Sequence, residues 1–311
     1  MKKKIIVVAG PTASGKTALG IEIAKAVNGE IISADSMQVY RGMPIATAAP
    51  TAEEQAEAAH HLVGILNPDE PFSVARWCEL ARECIDAITD RGHIPIIVGG
   101  TGLFIDSLVD NIIFEDIEID EKLRAELMSK DCDELYAELM RLDEKAAQEI
   151  HKNNKKRVVR ALELYYSGTS KTKQNENSKK EPSPYDALYL VLAFKDRQVL
   201  YNRINQRVDK MLEQGLEAEA RQVLSFSQAT SAQAIGHKEL APYINGQCSL
   251  DEALDKLKQE TRHYAKRQIT WFNKKERENK YFITVDELGA DKAAETAVSL
   301  SEEFLCLKKA N

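Results

Sequence analysis

Residues 9–17 read Ala-Gly-Pro-Thr-Ala-Ser-Gly-Lys-Thr (AGPTASGKT) and follow directly on the apolar run Ile5-Ile6-Val7-Val8. Glycine, four residues, then glycine-lysine-threonine is the spacing of a phosphate-binding loop set between a strand and a helix. In such a loop the backbone N–H groups of Ala13 to Thr17 converge on phosphate oxygens at a helix N-terminus, where partial positive charge favours an anion. Lys16 brings an ammonium to the terminal phosphates, and the Thr17 hydroxyl is a ligand for Mg²⁺. The loop does not say whose phosphates it holds.

Outward from the loop, strands and helices alternate. KKIIVVAG, EIISAD (30–35) and HIPIIVGG (93–100) read as strands, with a helix over Lys16 to Val27 between the first two. FSVARWCELARECIDAITDRG (72–92) reads as a helix capped by Ser73, with Trp77, Leu80, Cys84, Ile85 and Ile88 on one face. Alternation of this kind predicts an α/β fold, a P-loop NTPase-like parallel sheet flanked by helices, and near-continuous apolar strands agree with burial on both faces. The adjacent pair His60-His61 reads as two ordinary histidines.

From about Ile117 to Gly168 the pattern is helical and charged, which predicts an all-helical insertion. SGTSKTKQNENSKKEPSP (167–184) then reads as a polar linker or loop, YDALYLVLAF (185–194) as a strand, and KYFITVD (280–286) as a short late strand. The expected division is a first core part at 1–116, an insertion with its linker at 117–186, and a second core part with C-terminal helices at 187–311.

A chain of 311 residues with 43% hydrophobic content suits one large domain carrying an insertion. The opening MKKKIIVVAG mimics a secretory leader, but its apolar run stops at Gly10-Pro11 and no stretch reaches the roughly 18–20 residues of a membrane span. Five scattered cysteines lacking any C-x-x-C pair read as reduced thiols, so a cytoplasmic protein is expected. Net charge is −7, yet it is unevenly placed. Glu115 to Glu149 holds 13 acids against 5 bases, His151 to Lys180 holds 9 bases against 2 acids, and Asp255 to Lys280 holds 9 against 4. The two basic blocks leave room for a polyanionic partner.

Two further loops point at the same place. Asp35 ends the EIISAD strand, on the edge where parallel sheets hold their ligands, and could ligate metal, act as a base, or cap the next helix. Gly99, Gly100 and Gly102 let backbone approach a ligand, with Thr101 expected to point a hydroxyl into the cleft. A nucleoside triphosphatase would usually place an acidic magnesium ligand at the end of that strand. The sequence has Gly99-Gly100-Thr101 there instead.

GPTASGKT, DSMQVYRGMPIATA (35–48), VGGTGLF (98–104), KRVVRALE (156–163), QAIGHKE (233–239) and YAKRQITWF (264–272) occur in the order expected of bacterial tRNA dimethylallyltransferases. The sequence resembles that family from Val8 to about Phe272. The resemblance implies transfer of a five-carbon unit from dimethylallyl diphosphate to N6 of adenosine 37 in the anticodon stem-loop of tRNA, with Mg²⁺ as cofactor and a monomer as the acting form. Gly10, Thr12, Ala13, Ser14, Gly15, Lys16 and Thr17 would then hold a diphosphate, joined by an arginine of YNRINQRVDKML (201–212). Arg203 and Arg207 lie at i and i+4, and Arg207 fits the family pattern better. Asp35 is the implied general base, and Thr101 lines the reaction centre. Implied tRNA contacts are Asp35, Ser36, Met37, Gln38, Thr101, Lys156, Arg157, Arg160, Gln233, Gly236, His237 and Lys238, with Arg124 in the insertion a further one. Trp271 is read as core rather than as a stacking platform. Pro44 and Ala46 stand where the family commonly has an acidic residue and glycine, and His237 where it has tyrosine.

Three rivals make different predictions. A small-molecule kinase would consume ATP, a nucleotide-gated RNA-binding switch would tolerate loss of Asp35, and a transferase acting on free adenine nucleotides would need no basic blocks.

Overall fold

The computed structural model describes residues 2–114, 120–178, 181–225 and 230–306. The chain divides into two compact units, one made of Met1–Val109 with Pro184–Asn311, the other of Asp110–Ser183. The boundary set at 116/117 from the sequence falls within 115–119, outside the described residues.

In the first unit the elements preceding the insertion are β1 (Lys3–Ala9), α1 (Lys16–Val27), β2 (Gly29–Ser33), α2 (Pro44–Thr47), α3 (Ala52–Glu57), β3 (His60–His61), α4 (Val74–Asp90), β4 (Ile94–Gly99) and α5 (Gly102–Val109). The second unit holds α6 (Glu121–Ser129), α7 (Cys132–Leu142), α8 (Glu144–Glu149), α9 (Lys155–Tyr166) and α10 (Lys171–Ser178). The chain then returns through β5 (Tyr185–Ala193), α11 (Arg197–Glu213), α12 (Leu216–Leu224), α13 (His237–Ile244), α14 (Leu250–Lys274), β6 (Lys280–Thr284), α15 (Val285–Leu288) and α16 (Ala290–Leu305).

Among the described residues six strands form one sheet in the order β3-β2-β4-β1-β5-β6, every pairing parallel. The strand that feeds the glycine-rich loop is thus central, and Ile5 to Ala9 are fully buried. Each of its large apolar side chains contributes roughly 1.5–3 kcal/mol by leaving water. Alternate residues (Ile6, Val8, Ile31, Ile96, Leu190) pack against α1 and α16. The opposite face carries α4 and α5, where the buried Trp77 indole donates to Ser33 O at 2.9 Å. Ser73 caps α4 as expected, accepting from Arg76 N, but the fully buried stripe is Trp77, Cys78, Ala81, Ile85 and Ile88, with Leu80 and Cys84 only half-buried.

One sequence expectation is corrected, and the two ordinary histidines prove to be sheet residues. His60 and His61 form a two-residue parallel strand, too short for any periodicity to show. His61 Nε2 and His93 Nδ1 each lie 2.6 Å from Glu30, which Arg91 also grips. Burial alone would raise the Glu30 carboxyl, but these three partners hold it down at about 2. The polar stretch after Gly168 is not all loop, because α10 occupies Lys171–Ser178. Its first turn is fixed by the buried Asp143 carboxylate, which accepts from Thr172 N at 3.0 Å and from the Thr172 hydroxyl. Lys179 and Lys180 lie outside the described residues.

The second unit has its own core of Leu127, Leu135, Leu139, Ala147, Val158, Val159 and Leu162. All five cysteines are free thiols. Among the described residues no helix is long and apolar enough to cross a membrane.

Candidate active site

The carboxyl ends of the central strands carry three loops that converge on one cavity of about 460 Å³. That volume lies within the range of small-molecule sites.

Residues 10–17 supply the first wall. Gly10 is at φ +144°, and a Cβ there would meet Leu192 O at 2.8 Å, so only glycine lets β1 turn past β5. Ala13, at φ 61°, holds a left-handed conformation that is strained for alanine. The chain enters α1 at once, with Gly15 as N-cap and Lys16 as first helical residue. Thr12 to Thr17 all line the cavity, and the buried Ser14 Oγ has no hydrogen-bond partner among the described residues.

Lys16 Nζ donates to Pro11 O at 2.7 Å. Its pKa is pushed down to about 7, first by burial, then by the Arg207 charge, with Asp35 pulling it back up. Arg207 is lowered by burial and raised by Asp35. Lys16, Arg207 and Asp35 therefore share a poorly hydrated space, where the buried lysine and the arginine charge repel each other.

The second wall follows β2. Asp35 lines the cavity, and its Oδ1 accepts from Met37 N at 2.8 Å and Gln38 N at 3.3 Å. The side chain therefore caps a turn at residues 36–39, not the helix that the sequence suggested. Oδ2 accepts no hydrogen bond among the described residues. Ser36 and Met37 also line the cavity. Gln38 lines it too, but its amide is saturated internally: Oε1 accepts from Ser33 Oγ at 2.8 Å, and Nε2 donates to Thr47 O and Ala48 O at 3.1 Å.

The third wall follows β4, where Gly99 and Gly100 face the cavity. Thr101 is not among the residues lining the cavity. Its Oγ1 accepts from Ser36 N at 3.2 Å and its N–H donates to Ala34 O, so the hydroxyl ties two loops together. Tyr264, from α14, also lines the cavity, and burial together with the Asp35 charge pushes its phenol up.

Gln268 was not picked out by sequence. It is buried on α14, accepts from Thr12 N at 2.8 Å and donates to Gly100 O at 2.9 Å, joining the first and third walls. A Cβ on Gly100 would come within 2.1 Å of its amide nitrogen. Gln268→Ala orphans one donor and one acceptor, and is expected to lower unfolding free energy by about 2–4 kcal/mol. Urea unfolding reads this directly; a midpoint equal to that of the wild type would show that the bridge is replaced by solvent.

The two arginines between which spacing left the choice open are placed differently. Arg207 lines the cavity. Arg203 stands outside it, with Nε donating to Ala13 O at 2.9 Å and the guanidinium 5.7 Å over the Phe194 ring. Arg203 shapes the loop from behind.

Other expected contacts fall differently. Gln233 and Lys238 are exposed, Gln233 lining the cavity. Gly236 and His237 are buried at the start of α13. His237 Nε2 lies 2.8 Å from the Glu219 carboxylate, so its side chain serves the interior, not a surface. Trp271 packs on Gly102 and donates to Asp106 at 2.8 Å, in keeping with a core role. In the second unit Lys156 and Arg157 are exposed. Arg124 and Arg160 are engaged: both bind buried Glu163, at 2.7 and 3.0 Å. Burial would raise that carboxyl, yet the two guanidiniums hold it below its ordinary value. Removing either arginine would uncover a buried charge, and that accounts for their placement without RNA.

The comparisons with known proteins agree with this geometry. The description "IPP transferase" matches residues 38–275, and "Isopentenyl transferase" matches residues 3–61. A tRNA dimethylallyltransferase from Acetivibrio thermocellus is 48% identical over 295 residues, spanning 92% of this chain and 93% of that protein. One from Staphylococcus saprophyticus is 49% identical over 287 residues, with 88% and 90% covered. The crystal structure of the full-length tRNA isopentenylpyrophosphate transferase from Bacillus halodurans superimposes with a TM-score of 0.73 at 41% identity, covering 99% of each chain. A eukaryotic dimethylallyltransferase acting on tRNA gives 0.84 at 30% identity, covering 99% of this chain and 81% of that one. With a P-loop NTPase-like sheet, a cavity walled by the glycine-rich loop, Lys16 and Arg207, and relatives matched almost end to end, this chain belongs to the IPP transferase family of prenyl transferases.

Proposed function

We propose that the chain transfers the dimethylallyl group of dimethylallyl diphosphate to N6 of adenosine 37 in the anticodon stem-loop of tRNA. The observation that carries this reading is the placing of Lys16, Arg207 and Asp35 around one cavity, two cations for a departing diphosphate beside one carboxylate.

The exocyclic nitrogen of adenine is a weak nucleophile because its lone pair is delocalised into the ring. It attacks C1 of the donor as the C1–oxygen bond breaks, and the electron pair leaves with diphosphate. Amides of residues 13–17, the Lys16 ammonium and the Arg207 guanidinium stabilise that developing charge. Asp35 takes the N6 proton through the oxygen not used by the turn.

The chain's donor set suits magnesium brought in with the diphosphate. Among the described residues no group of three or more His, Cys, Asp or Glu could hold a metal unaided. Thr17 lines the cavity as a hard oxygen ligand, and Mg²⁺ takes one or two protein oxygens while keeping phosphates and waters. When bound it would neutralise charge on the leaving group.

Adenosine 37 must leave its stack to reach the cavity, at a cost of a few kcal/mol that is smaller in a single-stranded loop than in a duplex. Exposed Lys156, Arg157 and Lys238 supply cations for the phosphates. A tRNA substrate fits a cytoplasmic enzyme, and the reading needs no second copy of the chain.

The test mixes the protein with Mg²⁺, dimethylallyl diphosphate and unmodified tRNA bearing adenosine 37, digests the tRNA and weighs its nucleosides, with an ATP-only control. One five-carbon unit gained at that adenosine is the expected result. No gain, with ATP consumed in the control, would return the loop to nucleotide chemistry.

A further inference from the structure

Behind the second wall of the cavity lies a buried carboxylate that the reaction described above does not use. Glu219, on α12, is 8% exposed and reaches across 174 residues to the start of α2. Its Oε2 accepts from Ile45 N at 2.8 Å and its Oε1 from Ala46 N at 2.9 Å. Oε1 also lies 2.8 Å from Nε2 of His237, whose ring is completely buried. A carboxylate can only accept, so the imidazole presents its N–H at Nε2.

The same short helix is tied at its other end to the catalytic turn. The carbonyls of Thr47 and Ala48 accept from the Gln38 amide at 3.1 Å, and Gln38 N donates to Asp35 Oδ1 at 3.3 Å. Glu219 and His237 thus connect to Asp35 through α2 and Gln38, by hydrogen bonds at each end of the helix and at both the side chain and the backbone of Gln38. α2 has no fully buried residue: Ile45 and Ala46 pack, half-buried, against the cluster of Val208, Met211, Leu216 and Leu240, and the Glu219 hydrogen bonds fix the helix on that apolar seat. Pro44, at its first position, has no N–H of its own, and the next two amides are the ones Glu219 takes.

We propose that Glu219 and His237 are positioning residues for prenyl transfer: the carboxylate anchors α2, the imidazole orients the carboxylate, and α2 sets the Asp35–Gln38 turn at the reacting nitrogen. This rests on the reaction proposed above. A base displaced by about 1 Å can cost roughly 100-fold in turnover, so a modest rotation of α2 is enough to matter.

Glu219→Gln keeps the shape but places an amide N–H₂ against one of three donors. Expected is a fall in kcat of about 10- to 100-fold, with the dissociation constant for dimethylallyl diphosphate unchanged. His237→Gln can still donate to Glu219 and should keep kcat within about threefold of wild type, whereas His237→Phe cannot and should lose about tenfold. Thermal unfolding and the fraction of protein binding diphosphate are measured alongside. A kcat of Glu219→Gln equal to wild type overturns the proposal, as does a loss that only follows the loss of folded protein. Should Glu219→Gln fail to fold, the histidine pair decides: equal kcat in His237→Gln and His237→Phe overturns it. Wild-type protein that binds diphosphate but prenylates no tRNA removes the reaction itself, and is seen before any variant is compared.

Discussion

Asp35→Asn should lower prenyl transfer by about 10²- to 10⁴-fold, the range expected for loss of a general base, while leaving tRNA affinity where it was. Asparagine is the informative replacement because of what Asp35 does in the fold. Its Oδ1 accepts from Met37 N and Gln38 N, and an asparagine oxygen can accept both bonds equally well. The turn is kept; the proton acceptor is not. Asp35→Ala removes both and should cost stability in addition, about 1 kcal/mol for a lost turn-capping group. Single-turnover prenylation and tRNA binding by filter retention separate the outcomes. If Asp35→Asn turns over normally and Asp35→Ala does not, the residue holds a turn and the base lies elsewhere.

Lys16→Met should weaken dimethylallyl diphosphate binding by about 10- to 100-fold, the value of a charge-assisted hydrogen bond to a phosphate. A pH signature accompanies it. In the free protein burial, with the Arg207 charge, pushes the Lys16 pKa down to about 7, so above that pH most molecules hold a neutral amine. A bound diphosphate favours the ammonium, so binding at pH 8.5 takes up about one proton, and at pH 6 close to none. Calorimetry in buffers of different ionisation enthalpy reads the number. Proton release at pH 8.5, or no uptake, would place the ammonium elsewhere. The stability of the free protein follows the same shift with a definite sign. Because the folded pKa lies below the unfolded 10.5, the unfolded chain binds more protons between pH 7 and 10.5. The Lys16 contribution is therefore least favourable below about pH 7 and becomes more favourable as pH rises through that window.

How much of this the sequence carries depends on how far apart the interacting residues lie. The glycine-rich loop is legible because all its parts are neighbours: strand, glycines, lysine and helix follow within some fifteen residues. Asp35 is legible as a residue at a strand end. What it touches is not, nor is the role of Thr101, whose hydroxyl accepts from an amide 65 residues away. Gln268 is hidden for the same reason, since its partners lie 256 and 168 residues away and glutamine on a charged helix is unremarked. Basic side chains mislead in the opposite direction. Arg160 and Glu163 stand at i and i+3, so their pairing could have been anticipated, but Arg124 meets Glu163 across 39 residues and only the fold shows that neither arginine is free. The stretch after Gly168 has the composition of a loop, and what makes part of it helical is a carboxylate at Asp143, 29 residues earlier. His237 and Ala46, both departures from a family pattern, meet at Glu219.

The place of β1 in the sheet also bears on synthesis. Its partners are Ile96 to Gly99 on one side and Tyr185 to Val191 on the other. While the chain is being translated, the first hundred or so residues can assemble β1, β2 and β4, but one edge of β1, apolar from Ile5 to Ala9, stays open until the helical insertion has been made and β5 arrives. An open apolar edge invites pairing with other chains, so this interval is when a nascent copy is most dependent on chaperones and most exposed to aggregation. Arg207 and Gln268 emerge later still, so a truncated chain carries the glycine-rich loop without the groups that complete its cavity.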